Sequence, residues 1–145
     1  DYYASRGLGD VYKRQYRKYG ILIIASLILC IVVCNLIMKP LFARVRPCDA
    51  NSIMNLLISR PKDFSFPSGH TMSSFAAATI IFSANTKLGV ISLLAATLIG
   101  FSRLYLYVHY PSDVLVGLFI GVFLSIFTLY ISKLTFINNL LAMHS

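Results

Sequence analysis

Two histidines and a carboxylate stand at positions that could support phosphoryl transfer. His109 precedes Asp113 by four residues, and Asp113 falls in the first turn of a helix predicted to begin near Pro111. A carboxylate at that spacing can hold one nitrogen of the imidazole and leave the other as a nucleophile. His70 falls in the first turn of another apolar helix, where an ionisable residue is a functional candidate. As purely structural features, Asp113 would be a capping acid and His109 an interfacial histidine.

Basic residues accompany these histidines along the chain. Lys39 and Arg46 stand close together in one cluster, and Arg103 lies in another. A guanidinium presents a planar fork to two phosphate oxygens, while an ammonium adds a point charge. Ser68 is a good N-cap and Gly69 lets the backbone approach a ligand, so a helix that begins here offers N–H groups to an anion. Taken alone, Lys39 would be a cation that snorkels from the end of an apolar segment.

Four apolar segments are expected to position these residues. They cover residues 20–38, 69–86, 88–106 and 114–132. At 1.5 Å per residue the first reaches roughly 28 Å, close to the hydrocarbon thickness of a bilayer. Counting the crossings brings the end of the first, the start of the second, the end of the third and the start of the fourth to one side of the membrane. The sequence therefore predicts an all-α, polytopic transmembrane helix bundle with its site residues at one end.

Composition agrees with a membrane protein. Of the 145 residues, 57% are hydrophobic and 12% are charged, which lies outside the soluble range. The net charge of +8 is typical of basic residues that flank spans, and no separate basic face favours nucleic-acid binding. Four basic residues lie on the side opposite the site, and three that are not assigned to the site lie on its own side. Because basic residues are more frequent on the cytoplasmic side, this count favours an extracytoplasmic site. Those four are Arg17, Lys18, Lys87 and Lys133.

Small residues inside the spans have structural interpretations. Cys30 and Cys34 lie one helical turn apart, which predicts packing residues and not a disulfide framework. Gly117 and Gly121 form a GxxxG pattern in the last span. We expect this pattern to serve close helix packing within the bundle and not a dimer face.

The chemical residues make up three motifs whose order carries a resemblance. The motifs are KX6RP, PSGH and SRX5HX3D, and they are carried by Lys39, Arg46, Pro47, residues 67–70, Ser102, Arg103, His109 and Asp113. In this order they resemble the three signature motifs of the type-2 phosphatidic acid phosphatase superfamily, closest to small bacterial members such as undecaprenyl-diphosphate phosphatases. Membrane members usually have six spans, with the first motif after the third. The resemblance therefore implies that four of six spans are visible.

The resemblance also implies a role for each site residue. His109 would attack phosphorus and form a phosphohistidine, Asp113 would orient it, and His70 would protonate the leaving oxygen and later activate water. The implied phosphate-binding residues are Lys39, Arg46, Ser68, Gly69 and Arg103. No metal and no cofactor is implied, because three cations can compensate the charge of the phosphoryl group. The implied partners are the lipid bilayer and a membrane lipid phosphate or diphosphate, and the implied location is a bacterial plasma membrane.

Other phosphatase chemistries lack their residues in this chain. The sequence has no glutamate, so a two-metal carboxylate site is not expected. No cysteine is followed six residues later by an arginine, and neither a Walker A loop nor a GxSxG elbow occurs. Two alternatives stay open at this point. One is a lipid phosphotransferase with the same site, and the other is an inactive, truncated membrane fragment.

The first fifteen residues match neither a signal peptide nor a span. Their run SRGLGDVYKRQ resembles translated sequencing-adapter sequence, although an ordinary basic cytoplasmic leader would also be compatible with it. We therefore expect residues 1–15 to be a non-native leader. Residues 16–145 are expected to form one membrane phosphatase domain that is truncated at its N-terminus.

Overall fold

The described part of the chain is helical throughout its regular structure. The computed structural model describes the backbone of residues 2–51 and 56–142, and the side chains of residues 16–51 and 56–135. Within these ranges there is no strand. The elements are α1 (Tyr2–Ile31), a π-helical segment (Val32–Met38), α2 (Lys39–Phe42), α3 (Pro47–Ala50), α4 (Gly69–Ala84), α5 (Thr86–Tyr105) and α6 (Pro111–Ala142). The side chains of residues 1–15 lie outside the described part, so their non-native origin stays a prediction.

Among the described residues, three segments are long and apolar enough to cross a membrane, namely Tyr16–Ala50, Thr86–Tyr105 and Pro111–Thr135. Their outward faces carry exposed Ile, Leu and Phe side chains that suit contact with lipid. The predicted all-α transmembrane bundle is therefore confirmed. The segment predicted over residues 69–86 differs in length, because α4 ends at Ala84 with 16 residues. At 1.5 Å per residue it extends about 24 Å, short of a full crossing.

The short helix α4 is the centre of the bundle. It packs against α1, α5 and α6, and these contacts bury its side chains on several faces. Asn85 ends α4 and also caps α5, since its side-chain oxygen accepts a hydrogen bond from Leu88 N at 3.2 Å. Cys30 and Cys34 are buried free thiols that pack against Met72 and Ala76 of α4, as predicted. The first turn of α4, which carries His70, is thus held by the bundle interior.

The last span approaches α4 through two glycines. A Cβ atom added at Gly121 would lie 2.2 Å from the carbonyl oxygen of Met72, and one added at Gly117 would lie 2.7 Å from that of Ser68. Both distances are far below van der Waals contact, so only glycine permits this approach. The predicted use of the GxxxG pattern for packing within the bundle is confirmed. The contact also sets the position of the segment that precedes His70.

Replacement of Gly121 by alanine is expected to destabilise the protein by about 1–3 kcal/mol, because the added methyl group forces α4 and α6 apart. Thermal unfolding in detergent would measure this loss. Gly20→Ala is the matched control, since a Cβ atom there meets nothing within 4 Å and alanine favours a helix. Equal unfolding temperatures for the wild type and Gly121→Ala would contradict the packing described above.

A π-helical turn sets the direction of Lys39 at the end of the first span. The backbone N–H of Lys39 donates to the carbonyl oxygen of Cys34, five residues earlier. This wider turn rotates Lys39 relative to an α-helix and brings it onto the face that carries Cys34 and Ile31. Both residues line the same cavity as Lys39. The chain then leaves the helix at Ala43, whose φ of 42° is left-handed.

Candidate active site

The helix ends enclose one large cavity on the side of the bundle predicted from the crossings. Its volume is about 560 Å³. Six of the eight predicted site residues line it, namely Lys39, Arg46, Gly69, His70, Arg103 and His109. The other two, Ser68 and Asp113, are fully buried. The structure thus brings the three motifs together around one space, with a carboxylate and a hydroxyl behind the lining residues.

Asp113 holds the loop that carries His109. Its Oδ2 atom lies 3.6 Å from His109 Nδ1 and accepts a hydrogen bond of 2.9 Å from the backbone N–H of Tyr110. The Ser65 hydroxyl donates to the same oxygen. The His109 Nδ1 atom is buried and has no partner within hydrogen-bond distance among the described residues. Asp113 is therefore the group that faces Nδ1, as the four-residue spacing predicted.

Arg44 is a partner of Asp113 that the sequence analysis did not assign to the site. Its Nη1 atom donates to Asp113 Oδ1 at 2.7 Å and to the Ser112 hydroxyl at 2.7 Å. Its guanidinium also stacks over the ring of Tyr110, 4.0 Å from the centroid. The arginine neutralises a fully buried carboxylate that would otherwise be costly to keep charged. The one available signal was its place two residues before Arg46, at the start of the segment that faces α6.

Arg46 connects the basic cluster to His109. It is only 4% exposed, and its Nη1 atom lies 2.8 Å from the carbonyl oxygen of Val108 and 3.2 Å from His109 Nε2. The Nε atom donates to the backbone oxygen of Asp63 at 2.9 Å, and Nη2 donates to Asp63 Oδ1 at 2.7 Å and to Phe64 O at 3.4 Å. All five N–H groups of the guanidinium therefore have acceptors.

The contact between Arg46 and His109 selects a tautomer. A guanidinium can only donate, so the Nε2 atom of His109 must be the acceptor. The imidazole proton is then on Nδ1, which faces Asp113 at 3.6 Å. In this arrangement the lone pair of Nε2 is the one that accepts from Arg46, on an imidazole that lines the cavity. The geometry thus places a candidate nucleophile beside a permanent positive charge.

Asp63 is the second residue that the sequence analysis did not assign to the site. It lines the cavity, and its carboxylate binds both Lys39 Nζ and Arg46 Nη2. Partial burial alone would raise the pKa of Asp63, but the hydrogen bonds and charges of Lys39 and Arg46 lower that pKa to about 2. The carboxylate is therefore ionised at any physiological pH, and two of the three predicted phosphate ligands have it as a partner.

The remaining predicted residues flank the cavity. His70 is exposed to it at the start of α4, and Arg103 lines it from the end of α5. The Nε and Nη2 atoms of Arg103 both lie 3.1 Å from the Ser102 hydroxyl. Ser68 occupies the N-cap position of α4, but its side chain makes no capping hydrogen bond to the backbone. Instead, its hydroxyl accepts from the Thr71 hydroxyl at 2.9 Å, so the predicted side-chain cap is wrong.

The charged side chains of the cavity are mostly cationic. Within the described side chains, no group of three His, Cys, Asp or Glu residues is placed to hold a metal ion. The cavity wall presents one ammonium, two guanidinium groups and two imidazoles, together with the Asp63 carboxylate that pairs with two of these cations. Such a set matches the oxygens of a phosphoryl group. Fold and site together define an integral membrane protein with a cavity at the helix ends that is lined mainly by cationic side chains.

Comparison with known proteins identifies the family. The family described as the PAP2 superfamily matches residues 19–136, so the chain belongs to this superfamily and the resemblance of the three motifs is confirmed. Undecaprenyl-diphosphatase of Sulfolobus acidocaldarius is 32% identical over 124 residues, which cover 85% of this chain and 59% of that protein. The bacitracin transport permease protein BcrC of Bacillus licheniformis is 32% identical over 146 aligned residues, which cover 99% of this chain and 72% of that protein.

A solved membrane structure has the same arrangement of helices. The crystal structure of a transmembrane PAP2 type phosphatidylglycerolphosphate phosphatase from Bacillus subtilis matches with a TM-score of 0.64 and 26% sequence identity. The match covers 79% of this chain and 59% of that one. The chain thus spans about three fifths of the length of that structure and of the Sulfolobus protein. Two of these three relatives are, by name, phosphatases of membrane lipids.

Proposed function

We propose that this protein is a membrane lipid phosphatase that hydrolyses a phosphomonoester or diphosphate headgroup through a phosphohistidine intermediate. The observation that carries the proposal is the alignment of Asp113, His109 and Arg46. A buried carboxylate faces one imidazole nitrogen, and the other nitrogen accepts a hydrogen bond from a buried guanidinium at the cavity. This arrangement suits nucleophilic attack on an electron-poor phosphorus that is held by cations.

The proposed reaction has two steps. In the first, the Nε2 lone pair of His109 leaves its contact with Arg46 and forms a bond to the terminal phosphorus, while the bond from that phosphorus to the leaving oxygen breaks. The leaving oxygen is the lipid oxygen of a monoester or the bridging oxygen of a diphosphate. His70 donates its proton to the departing oxygen as general acid. In the second, His70 removes a proton from water, the water oxygen attacks phosphorus, and the phosphorus–nitrogen bond breaks to release inorganic phosphate. Lys39, Arg46 and Arg103 compensate the charge on the equatorial oxygens in both steps, while Gly69 lines the cavity and Ser68 is buried behind it.

The cavity also supports an amphipathic substrate. Beside its charged residues it is lined by Leu27, Cys30, Ile31 and Cys34 of the first span. An apolar wall continuous with a cationic end suits a lipid whose headgroup is a phosphate or diphosphate. The name of the Sulfolobus relative favours a polyprenyl diphosphate as the first substrate to test. We infer that the site faces the extracytoplasmic side of the plasma membrane, opposite the basic residues at the other helix ends.

The test is phosphate release by the purified chain in detergent. We expect inorganic phosphate to form from undecaprenyl diphosphate at a rate that excess EDTA leaves unchanged, because the protein's own cations hold the phosphoryl oxygens. A rate that falls at least about tenfold with EDTA and returns with added Mg²⁺ or Zn²⁺ would contradict this mechanism. Phosphate that appears on an added lipid acceptor and not in solution would identify a phosphotransferase. The absence of turnover with diphosphate and monoester lipids alike would contradict the proposed function.

A further inference from the structure

The cations of the cavity already bind an anion that belongs to the protein. Asp63 lies in the segment between α3 and α4, and its two carboxylate oxygens bind Lys39 and Arg46 separately. A carboxylate and a phosphoryl group present the same kind of acceptor oxygens to these donors. The five N–H groups of Arg46 all have acceptors within the protein. A phosphoryl group can therefore bind Nη2 of this guanidinium only if the Asp63 carboxylate or the Phe64 carbonyl oxygen leaves.

We propose that the Asp63 side chain is an exchangeable internal anion, which occupies the phosphate-binding cations of the free protein and is displaced by the phosphoryl group of the substrate. The inference rests on the proposed function, since it concerns the same cations. Displacement is an exchange of ionic contacts in which no covalent bond forms or breaks. Asp63 thereby sets the affinity of the site for every ligand that needs Lys39 and Arg46.

The surroundings of Asp63 allow its carboxylate to leave while the segment stays in place. The backbone oxygens of Asp63 and Phe64 accept from Arg46, and the backbone N–H of Ser65 donates to the Arg44 carbonyl oxygen at 2.8 Å. These contacts involve the main chain and survive a rotation of the Asp63 side chain. That side chain is 52% exposed, whereas its partners are 11% and 4% exposed. The carboxylate can therefore rotate into solvent, while the two buried cations stay in place.

Protonation is not the route by which the carboxylate leaves. Because the pKa of Asp63 is lowered to about 2, the group remains charged at the pH of any cell surface. Only a competing anion can then take its place. A phosphoryl group has an advantage in charge, since a phosphomonoester carries nearly two negative charges at neutral pH and a carboxylate carries one.

The same exchange assists release of the product. Inorganic phosphate bound to three cations in a partly enclosed cavity would leave slowly. A tethered carboxylate competes with it at a high effective concentration and reoccupies Lys39 and Arg46 as the phosphate departs. The free protein is then also kept from holding phosphate that is present in solution. Asp63 would thus weaken binding and favour turnover.

The experiment is calorimetric titration of inorganic phosphate into the full chain in detergent. Asp63→Asn keeps the shape of the side chain and removes its charge. The asparagine no longer competes with phosphate for Lys39 and Arg46. Because the two lost ion pairs are partly exposed, the Kd for phosphate should fall about three- to tenfold relative to the wild type. KM for the lipid substrate should fall by a similar factor, while kcat should not rise. Asp63→Ser provides a second variant with the same expectation, in case the asparagine variant folds poorly.

Asp49→Asn is the matched control. Asp49 is an acid of α3 that pairs with Arg60 at 3.4 Å and does not line the cavity. Its replacement by asparagine changes the net charge by the same amount as Asp63→Asn. Phosphate affinity should stay at the wild-type value in this variant. An unchanged or higher Kd in both Asp63 variants would overturn the exchange, while phosphate release by the wild type would still support the proposed function. Failure of the wild type and both Asp63 variants to bind phosphate would overturn both proposals.

Discussion

His109→Ala is expected to lower kcat for phosphate release by about 10⁴- to 10⁶-fold, the range found when a covalent nucleophile is removed. The reason is geometric. The Nε2 atom of His109 accepts from Arg46 at 3.2 Å, and its Nδ1 atom faces Asp113 at 3.6 Å, so this imidazole has both its orientation and its tautomer defined. No other described histidine lies beside Asp113, since His70 lines the cavity from α4. Stopped assays with the lipid diphosphate would measure the loss.

Two further measurements separate a lost nucleophile from a damaged site. Phosphate binding by His109→Ala should persist, because Lys39, Arg46 and Arg103 are retained. Labelled lipid substrate should leave an acid-labile phosphoryl group on the wild-type protein and none on His109→Ala, since a phosphorus–nitrogen bond is broken by acid. A variant that turns over within tenfold of the wild type, or that still becomes labelled, would show that His109 is not the attacking group.

The sequence was sufficient to predict that the site residues converge, because this prediction depends only on the number and order of the apolar segments. Helices that alternate in direction bring Lys39, His70 and His109 to one end of the bundle, and this holds although α4 is shorter than a full crossing. The four-residue spacing of His109 and Asp113 likewise survives into the structure, because the helix begins at Pro111 and its first turn carries the acid. These predictions rest on periodicity and chain order, which the sequence contains in full.

Two features of the fold were not accessible in this way. The exact end of α4 at Ala84, two residues before the predicted boundary, depends on Asn85, which caps α5. Hydropathy predicts the break near Lys87, but it does not identify which residue caps the next helix. The π-helical turn before Lys39 is formed by a backbone hydrogen bond five residues long, and it changes no residue type. Each feature changes the position of a helix end.

The unassigned site residues Arg44 and Asp63 share a different reason. Both lie in irregular segments, where no period predicts which side chains turn inward. Their roles arise from tertiary pairs with Asp113 and with Lys39 and Arg46. Ser68 shows the converse case, since its type predicted a cap but the nearby Thr71 hydroxyl became its partner. Charge pairs across segments therefore supplied the part of the site that motifs did not contain.

Arg46→Lys is expected to lower kcat/KM by about 10²- to 10³-fold, although it preserves the charge, because an oriented donor to the phosphoryl oxygens is lost. A lysine ammonium has one nitrogen and cannot reach Val108 O, His109 Nε2 and the Asp63 segment together. The acceptors left without donors should also lower the free energy of unfolding by about 2 kcal/mol. Steady-state kinetics and thermal unfolding in detergent would measure the two effects separately.

The control for Arg46→Lys is Arg60→Lys, which makes the same exchange at a residue that pairs with Asp49 outside the cavity. This variant should retain wild-type kinetics. The tautomer of His109 adds a sharper criterion, because Arg46 is the donor to its Nε2 atom. Without that fixed donor, the imidazole can turn its proton toward the cavity, so kcat should fall further than phosphate affinity does. An Arg46→Lys variant that loses affinity but retains kcat would mean that Arg46 only binds phosphate and does not hold the nucleophile in its reactive form.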